Sequence, residues 1–269
     1  MLTAHRPSTS WWIRPCAKCM NTGRTAGFFT FGVPPDRYQL PHPELGLPVI
    51  LLVRRVLLRA FHLLREQGFQ LCTADEDDIT AALRSVIENN LRQSGIVAGF
   101  SRRTYEPVIR QGQWENYSGT VLTKTPDLCF KLRQDEGEPR PVIPEFDALF
   151  IECKPVDAAH PSGGKYCDDG LIRFVRGDYA WAMQEGMMLA YARDGRTITD
   201  HLIPAMREKL RAVSLATDRF PEPCPAPAAA GCTRAEAVHA SRHRRCFSWR
   251  DEKGPATDIT IYHLWHECS

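Results

Sequence analysis

The chain has 269 residues, of which 43% are hydrophobic and 25% charged, an ordinary globular composition that excludes a wholly disordered or fibrous protein. Its formal net charge is only +2, yet residues 1–68 carry 9 basic and 3 acidic side chains, residues 69–160 carry 10 and 15, and residues 161–269 carry 15 and 14. A basic first quarter ahead of an acidic centre suits a polyanion and a cation side by side.

The first segment, MLTAHRPSTSWWIRPC, has no unbroken apolar stretch of the kind a secretory signal needs. That predicts a reducing, intracellular setting, cytoplasmic or nuclear, in which the 10 cysteines are thiols or metal ligands. Residues 1–47 are rich in proline and aromatic side chains without a sustained period and are expected to form an irregular arm. Pro48 then suits the first turn of a helix, and Val49, Leu52, Val53, Val56, Leu57, Ala60, Phe61 and Leu64 recur on one face until Gly68. Arg55, Arg59 and His62 fall on its other side, as a solvated face or a nucleic-acid contact. The longest apolar run, residues 48–53, ends at Arg54 and Arg55, far short of the roughly 18 residues that cross a bilayer, so no membrane partner is expected.

Thr73 or Asp75 can cap a second helix, residues 75–93, whose Ile79, Leu83, Val86, Ile87 and Leu91 form the core stripe and which Gly95 ends. Three β-like runs follow at 96–110, 120–132 and 146–156. Helical spacing returns through Tyr179, Met183, Met187 and Tyr191, and residues 199–213 predict a further short helix. The glycines 163, 164 and 170, with Lys165, Asp168 and Asp169, are expected to form a flexible loop. Residues 220–232 form a Pro/Ala linker, and residues 233–269 hold two strand-like runs, RHRRCFSW and DITIYHLW, that predict a hairpin added to the main sheet.

One arrangement carries chemistry. Pro126-Asp127 lies within a β run, and Glu152-Cys153-Lys154 ends an apolar strand that begins FDALFI. Residues two apart on a strand point the same way, so Glu152 and Lys154 share a face while Cys153 points to the other. A charged pair so placed must be paired or bind something, with Asp127 as the natural third member.

These residues resemble the motif of the PD-(D/E)xK nuclease superfamily, and residues 75–193 resemble it in element order. The resemblance implies an α/β restriction-endonuclease-like fold, a mixed central sheet flanked by helices, over residues 69–219 within a 48–219 core. In that family the two motif elements lie on adjacent strands, a helix carrying another acid precedes them, and a helix follows the third strand. It also implies Mg²⁺ or Mn²⁺ held by Asp127, Glu152 and the carbonyl of Cys153, Lys154 as the cation that orients water and helps to deprotonate it, and DNA as the partner, with RNA also open. The accessory acid is Glu88 or Glu76, and Glu88 is preferred as the mid-helix acid beside the apolar stripe. Asp147, an odd number of residues before Glu152, is expected to close the preceding loop. Gln184, Arg173 and Lys165 are candidates for substrate binding; some RecB-like members use a Gln and a Tyr on one helix, at a shorter spacing than Gln184 and Tyr191.

Other groups have ordinary explanations. Cys16 and Cys19 form half a zinc knuckle without a second pair. Cys232, His239, His243, Cys246, His263, His266 and Cys268 do not follow a finger spacing, and His263 and His266 would face opposite sides of a strand, so thiols and histidines without zinc are the expectation. Two rival readings accompany the nuclease: a catalytically inactive nuclease-fold protein that binds nucleic acid or a protein partner, and a basic helix at 48–67 that anchors to a membrane surface.

Overall fold

The computed structural model describes residues 38–133, 140–224, 238–250 and 252–268. Cys16, Cys19, Cys232 and most of the expected arm and linker lie outside these residues. The described part is an α/β structure: one open, mixed sheet of seven strands with helices against both faces.

Helix α1, Leu47–Glu66, starts at Pro48 and buries Ile50, Val53, Val56, Leu57, Ala60, Phe61 and Leu64 along one stripe. Helix α2, Glu76–Val86, is capped by Asp75, whose side chain accepts the Asp78 amide at 2.8 Å, and continues with wider winding through Ile87–Arg92. Together they cover one sheet face, packing on Leu128, Ile151, Cys153, Met187, Leu189 and Tyr191. The other face carries the helical segment Ser162–Leu171, which runs on as α3, Ile172–Arg176, and the segment Ile198–Leu202 continuing as α4, Ile203–Arg207. Helix α5, Lys209–Ser214, follows a break at Glu208.

The strands are β1 Ile109–Arg110, β2 Leu128–Phe130, β3 Leu149–Val156, β4 Glu185–Ala192, β5 Thr217–Pro223, β6 His239–His243 and β7 Ile259–Glu267. Their spatial order is β1-β2-β3-β4-β7-β6-β5, with β3/β4 and β4/β7 parallel and the other pairs antiparallel. From α2 to β4 the order is helix, three strands, helix, strand.

Several expectations are corrected. The segment with Tyr179, Met183, Met187 and Tyr191 is not a helix: the chain turns at Gly177 (φ 71) and Ala180 (φ 54), then becomes β4, in which every residue is buried. The helix after β3 lies earlier, at 162–176, where a flexible loop was expected. Gly170 is packed there: a Cβ on it would lie 2.8 Å from Met188 Cε and 3.4 Å from Lys154 Cγ, so glycine lets this helix approach β3 closely. The β runs at 96–110 and 120–132 shrink to β1 and β2, with isolated bridges from Tyr105 to Leu132 and from Trp114 to Lys124 beyond them. The expected linker begins as edge strand β5, whose Pro221 and Pro223 an edge tolerates. The tail hairpin does join the sheet, but its first strand is His239–His243 and its second, β7, lies in the middle, between β4 and β6.

Among the described residues Cys72, Cys129, Cys153, Cys167, Cys224, Cys246 and Cys268 are free thiols. No helix among them is long and apolar enough to cross a membrane.

Candidate active site

The site forms where β2 ends. The last β2–β3 pair on this side is Leu128 with Ile151, so β3 from Glu152 onward has no backbone partner on its β2 edge. Asp127, one residue before β2, fills the gap: its Oδ2 accepts the Cys153 amide at 2.6 Å. The first turn of α2 closes the notch from outside, bringing Glu76 to Lys154 with Oε1 2.6 Å from Nζ. The same Nζ lies 3.0 Å from Glu152 Oε1 and 3.9 Å from Asp127 Oδ2. From the opposite side of β3, Arg173 on α3 reaches Glu152 Oε1 at 2.9 Å, and the Tyr179 hydroxyl donates to Glu152 Oε2.

Three carboxylates thus surround one ammonium, with one guanidinium behind. If all five groups are ionised, three negative charges face two positive ones and one negative charge is left over. The site is largely closed to water: Glu152 is 0% exposed, Lys154 7% and Asp127 8%. Burial, reinforced by the Glu152 charge, pushes the Asp127 carboxyl up to about 7, and burial also raises Glu152 despite Lys154, Arg173 and Tyr179. Burial alone would lower the Lys154 ammonium, but Glu152, Asp127 and Glu76 outweigh it and hold that group above the usual lysine range.

The expected residues separate into two groups. Asp127, Glu152, Lys154 and Arg173 meet in one place. Glu88 does not join them; it is buried about 18 Å further along the α2 axis, where its carboxylate takes Arg92 at 2.8 Å and the Val108 amide at 2.7 Å. The acid at the cluster is Glu76. Gln184 lies just before β4 and donates to the His42 carbonyl at 2.9 Å, about 13 Å down the strand from Met188, the partner of Glu152. Lys165 is exposed and paired with Asp169 at 3.1 Å. Asp147 closes its loop by pairing with Arg140 at 3.0 Å. The Cys153 thiol faces α1 and α2, away from the cluster, and burial pushes it well above its ordinary range. Tyr191 also points that way, its hydroxyl 2.7 Å from Thr80 Oγ1. Sequence reasoning missed Tyr179 as a partner of Glu152, because only tertiary packing brings it there.

The donor set fits a hard divalent ion in chemistry: carboxylate oxygens, an excess of negative charge, and an Asp127 Oδ1 that accepts no hydrogen bond from a described residue. The carboxylates are gathered on the Lys154 ammonium, and among the described residues no three His, Cys, Asp or Glu side chains are grouped so as to hold an ion. In the tail, His263 faces Tyr166 and Ser241 while His266 stacks on Phe61 on the opposite side of β7.

The chain matches no protein-family model, and neither the curated proteins nor the solved structures include a match.

Proposed function

We propose that the protein is a metal-dependent nuclease that hydrolyses phosphodiester bonds, with DNA as its polymer. The observation that carries this reading is the meeting of Asp127, Glu152, Lys154 and Glu76 from β2, β3 and α2 at one spot. Two features support it further. The motif acids come from β3 and from the residue leading into its neighbour β2, and the order from α2 to α3 is helix, three strands, helix, as the PD-(D/E)xK resemblance implies.

Asp127 and Glu152 would hold Mg²⁺ or Mn²⁺, with the Cys153 carbonyl, and the ion would neutralise phosphate charge and polarise the phosphoryl oxygens. The three acids hold the Lys154 ammonium above the usual lysine range, which suits orienting the attacking water and offsetting negative charge at the phosphate. Arg173, with 38% of its side chain exposed, is the cation open to a polyanion at this site. Tyr179 fixes the Glu152 carboxylate in place by donating to its second oxygen.

A second reading has its own support. Glu152 is fully buried and both of its oxygens are occupied by Lys154, Arg173 and Tyr179, which suits a nuclease fold that keeps the ion network as structure and binds without cutting. The deciding experiment is cleavage of linear, circular and single-stranded DNA, and of RNA, with Mg²⁺ or Mn²⁺, beside D127A and K154A. The nuclease reading expects metal-dependent cutting by the wild type only. Cutting that both variants retain would discard the site, and a wild type that binds without cutting would favour the second reading.

A further inference from the structure

Outside the acid cluster, the solvent side of α1 and the end of α2 enclose two adjoining hollows of about 280 and 460 Å³ that share Arg59 and Ile96. Arg55 joins Arg59 on one wall, one helical turn away, while Asn89, Asn90 and Gln93 form the other. No carboxylate lines either hollow. Sequence extends the pattern: residues 47–65 and 89–105 together hold 7 arginines and not one Asp or Glu. The flanking acids are engaged, Glu66 by His62 at 3.0 Å and Glu88 by Arg92 at 2.8 Å. Arg55 and Arg59 have no ion-pair or hydrogen-bond partner among the described residues. Gly95 and Gly99, at φ 64 and φ 90, turn the intervening loop so that Ile96 stands 64% exposed at the groove.

We infer that this α1/α2 groove is a binding surface for the sugar-phosphate backbone of a nucleic acid. Two uncompensated guanidinium groups on a concave wall focus positive potential. The neighbouring amides of Asn89, Asn90 and Gln93 donate to phosphate or sugar oxygens, and Ile96 offers an apolar contact to a sugar or an unstacked base. The choice of nucleic acid among polyanions rests on the nuclease reading; the charge of the groove does not. The chain's own residues 1–37 carry 5 basic and 1 acidic side chains and would be repelled from it. A lipid surface fits less well, because the apolar stripe of α1 is already spent in the core. Glu76 and Asn89 lie 13 residues apart on one helix, about 20 Å, which a duplex covers in about six base pairs.

The test is fluorescence anisotropy of a labelled duplex and a labelled single strand against the full chain in EDTA, repeated over a range of salt. R55Q/R59Q is expected to weaken duplex binding about tenfold or more near 0.1 M salt and to reduce the slope of log K against log salt by about 1.8. R55K/R59K should keep that slope, and R219Q, an exposed arginine of edge strand β5, should change neither quantity. A slope unchanged in R55Q/R59Q overturns the inference, as does wild-type protein that binds phosphatidylserine vesicles but neither nucleic acid. Because the readout needs no cleavage, the two readings fail separately: D127A and K154A that still cut would sink the nuclease site and leave the groove standing.

Discussion

Lys154 Nζ lies 2.6 Å from Glu76 Oε1, although 78 residues separate the two along the chain. The contact fastens the first turn of α2 to the unpaired stretch of β3, and the same ammonium is shared with Glu152 at 3.0 Å. Three acids stay together because one cation sits among them.

K154M keeps most of the stem and removes the charge. It is expected to abolish cleavage, by about 100-fold or more, and to cost about 3 kcal/mol of stability at neutral pH, because a buried charge loses its partner. Part of that stability should return near pH 5, where protonation relieves the acids. Urea denaturation at both pH values beside a cleavage assay checks it; a K154M as stable as wild type at pH 7 would show that the ammonium does not hold the cluster.

D127N should separate stability from activity. The Asp127 carboxyl rises from the ordinary 3.8 to about 7, so between those values the folded protein keeps a proton that the unfolded chain releases. Its contribution is therefore full below pH 3.8 and is lost as pH rises through about 7. Asn removes this loss and can still accept the Cys153 amide. The variant should be more stable than wild type at pH 8 in EDTA, by about 2 kcal/mol, equal to it near pH 4, and inactive.

E76Q and E88Q should behave oppositely. E76Q removes a charge from the cluster and is expected to lower cleavage with a small change in melting temperature. E88Q loosens a buried contact to Arg92 and the Val108 amide, and should cost about 1–2 kcal/mol with cleavage per folded molecule unchanged. Equal cleavage by E76Q and wild type would remove Glu76 from the site.

A buried polar chain predicts acid sensitivity. His243 Nδ1 faces the Leu215 carbonyl at 2.9 Å and so donates; its Nε2 accepts from Ser241, which accepts from His263, which accepts from the Tyr166 hydroxyl, each at 2.7 to 2.8 Å. Burial lowers His243 to about 4 and His42 to about 3, with Arg140 adding to the latter, and lowers His263 as well. Their neutral forms fit fully above about pH 6.5, and stability is lost as pH falls towards the folded values, because only the unfolded chain gains the protons. Asp127 slopes the other way, as do the raised carboxyls of Glu152, Asp147 and Glu185, so denaturation of D127N is compared with that of D127N/H243Q between pH 7 and 4.5; the same pH slope in both would refute the chain as drawn.

What sequence could reveal depended on how far a pattern is local. The stripes of α1 and α2 and the apolar approach to Glu152 place those elements within about three residues, because a buried stripe or run leaves a local trace. Strand β4 leaves none: buried on both faces, it reads as a continuous apolar run, and Tyr179, Met183, Met187 and Tyr191 happen to fall four apart across its preceding turn. That Glu76 and not the preferred Glu88 meets Lys154 has a related reason. A helical wheel reports a face, whereas the end of α2 that meets the sheet is set by the notch beyond β2. Tyr179 and Arg173 reach Glu152 through packing of distant segments, which no spacing encodes.

The placement of β7 has a consequence for biosynthesis. Strand β4 ends at Ala192, and its neighbour β7 begins at Ile259, 67 residues later. Until that segment emerges from the ribosome, the nascent domain presents an open, apolar edge along β4, the kind of surface that recruits chaperones or other growing chains. A premature stop codon ahead of residue 259 would therefore leave not a shortened domain but an aggregation-prone fragment.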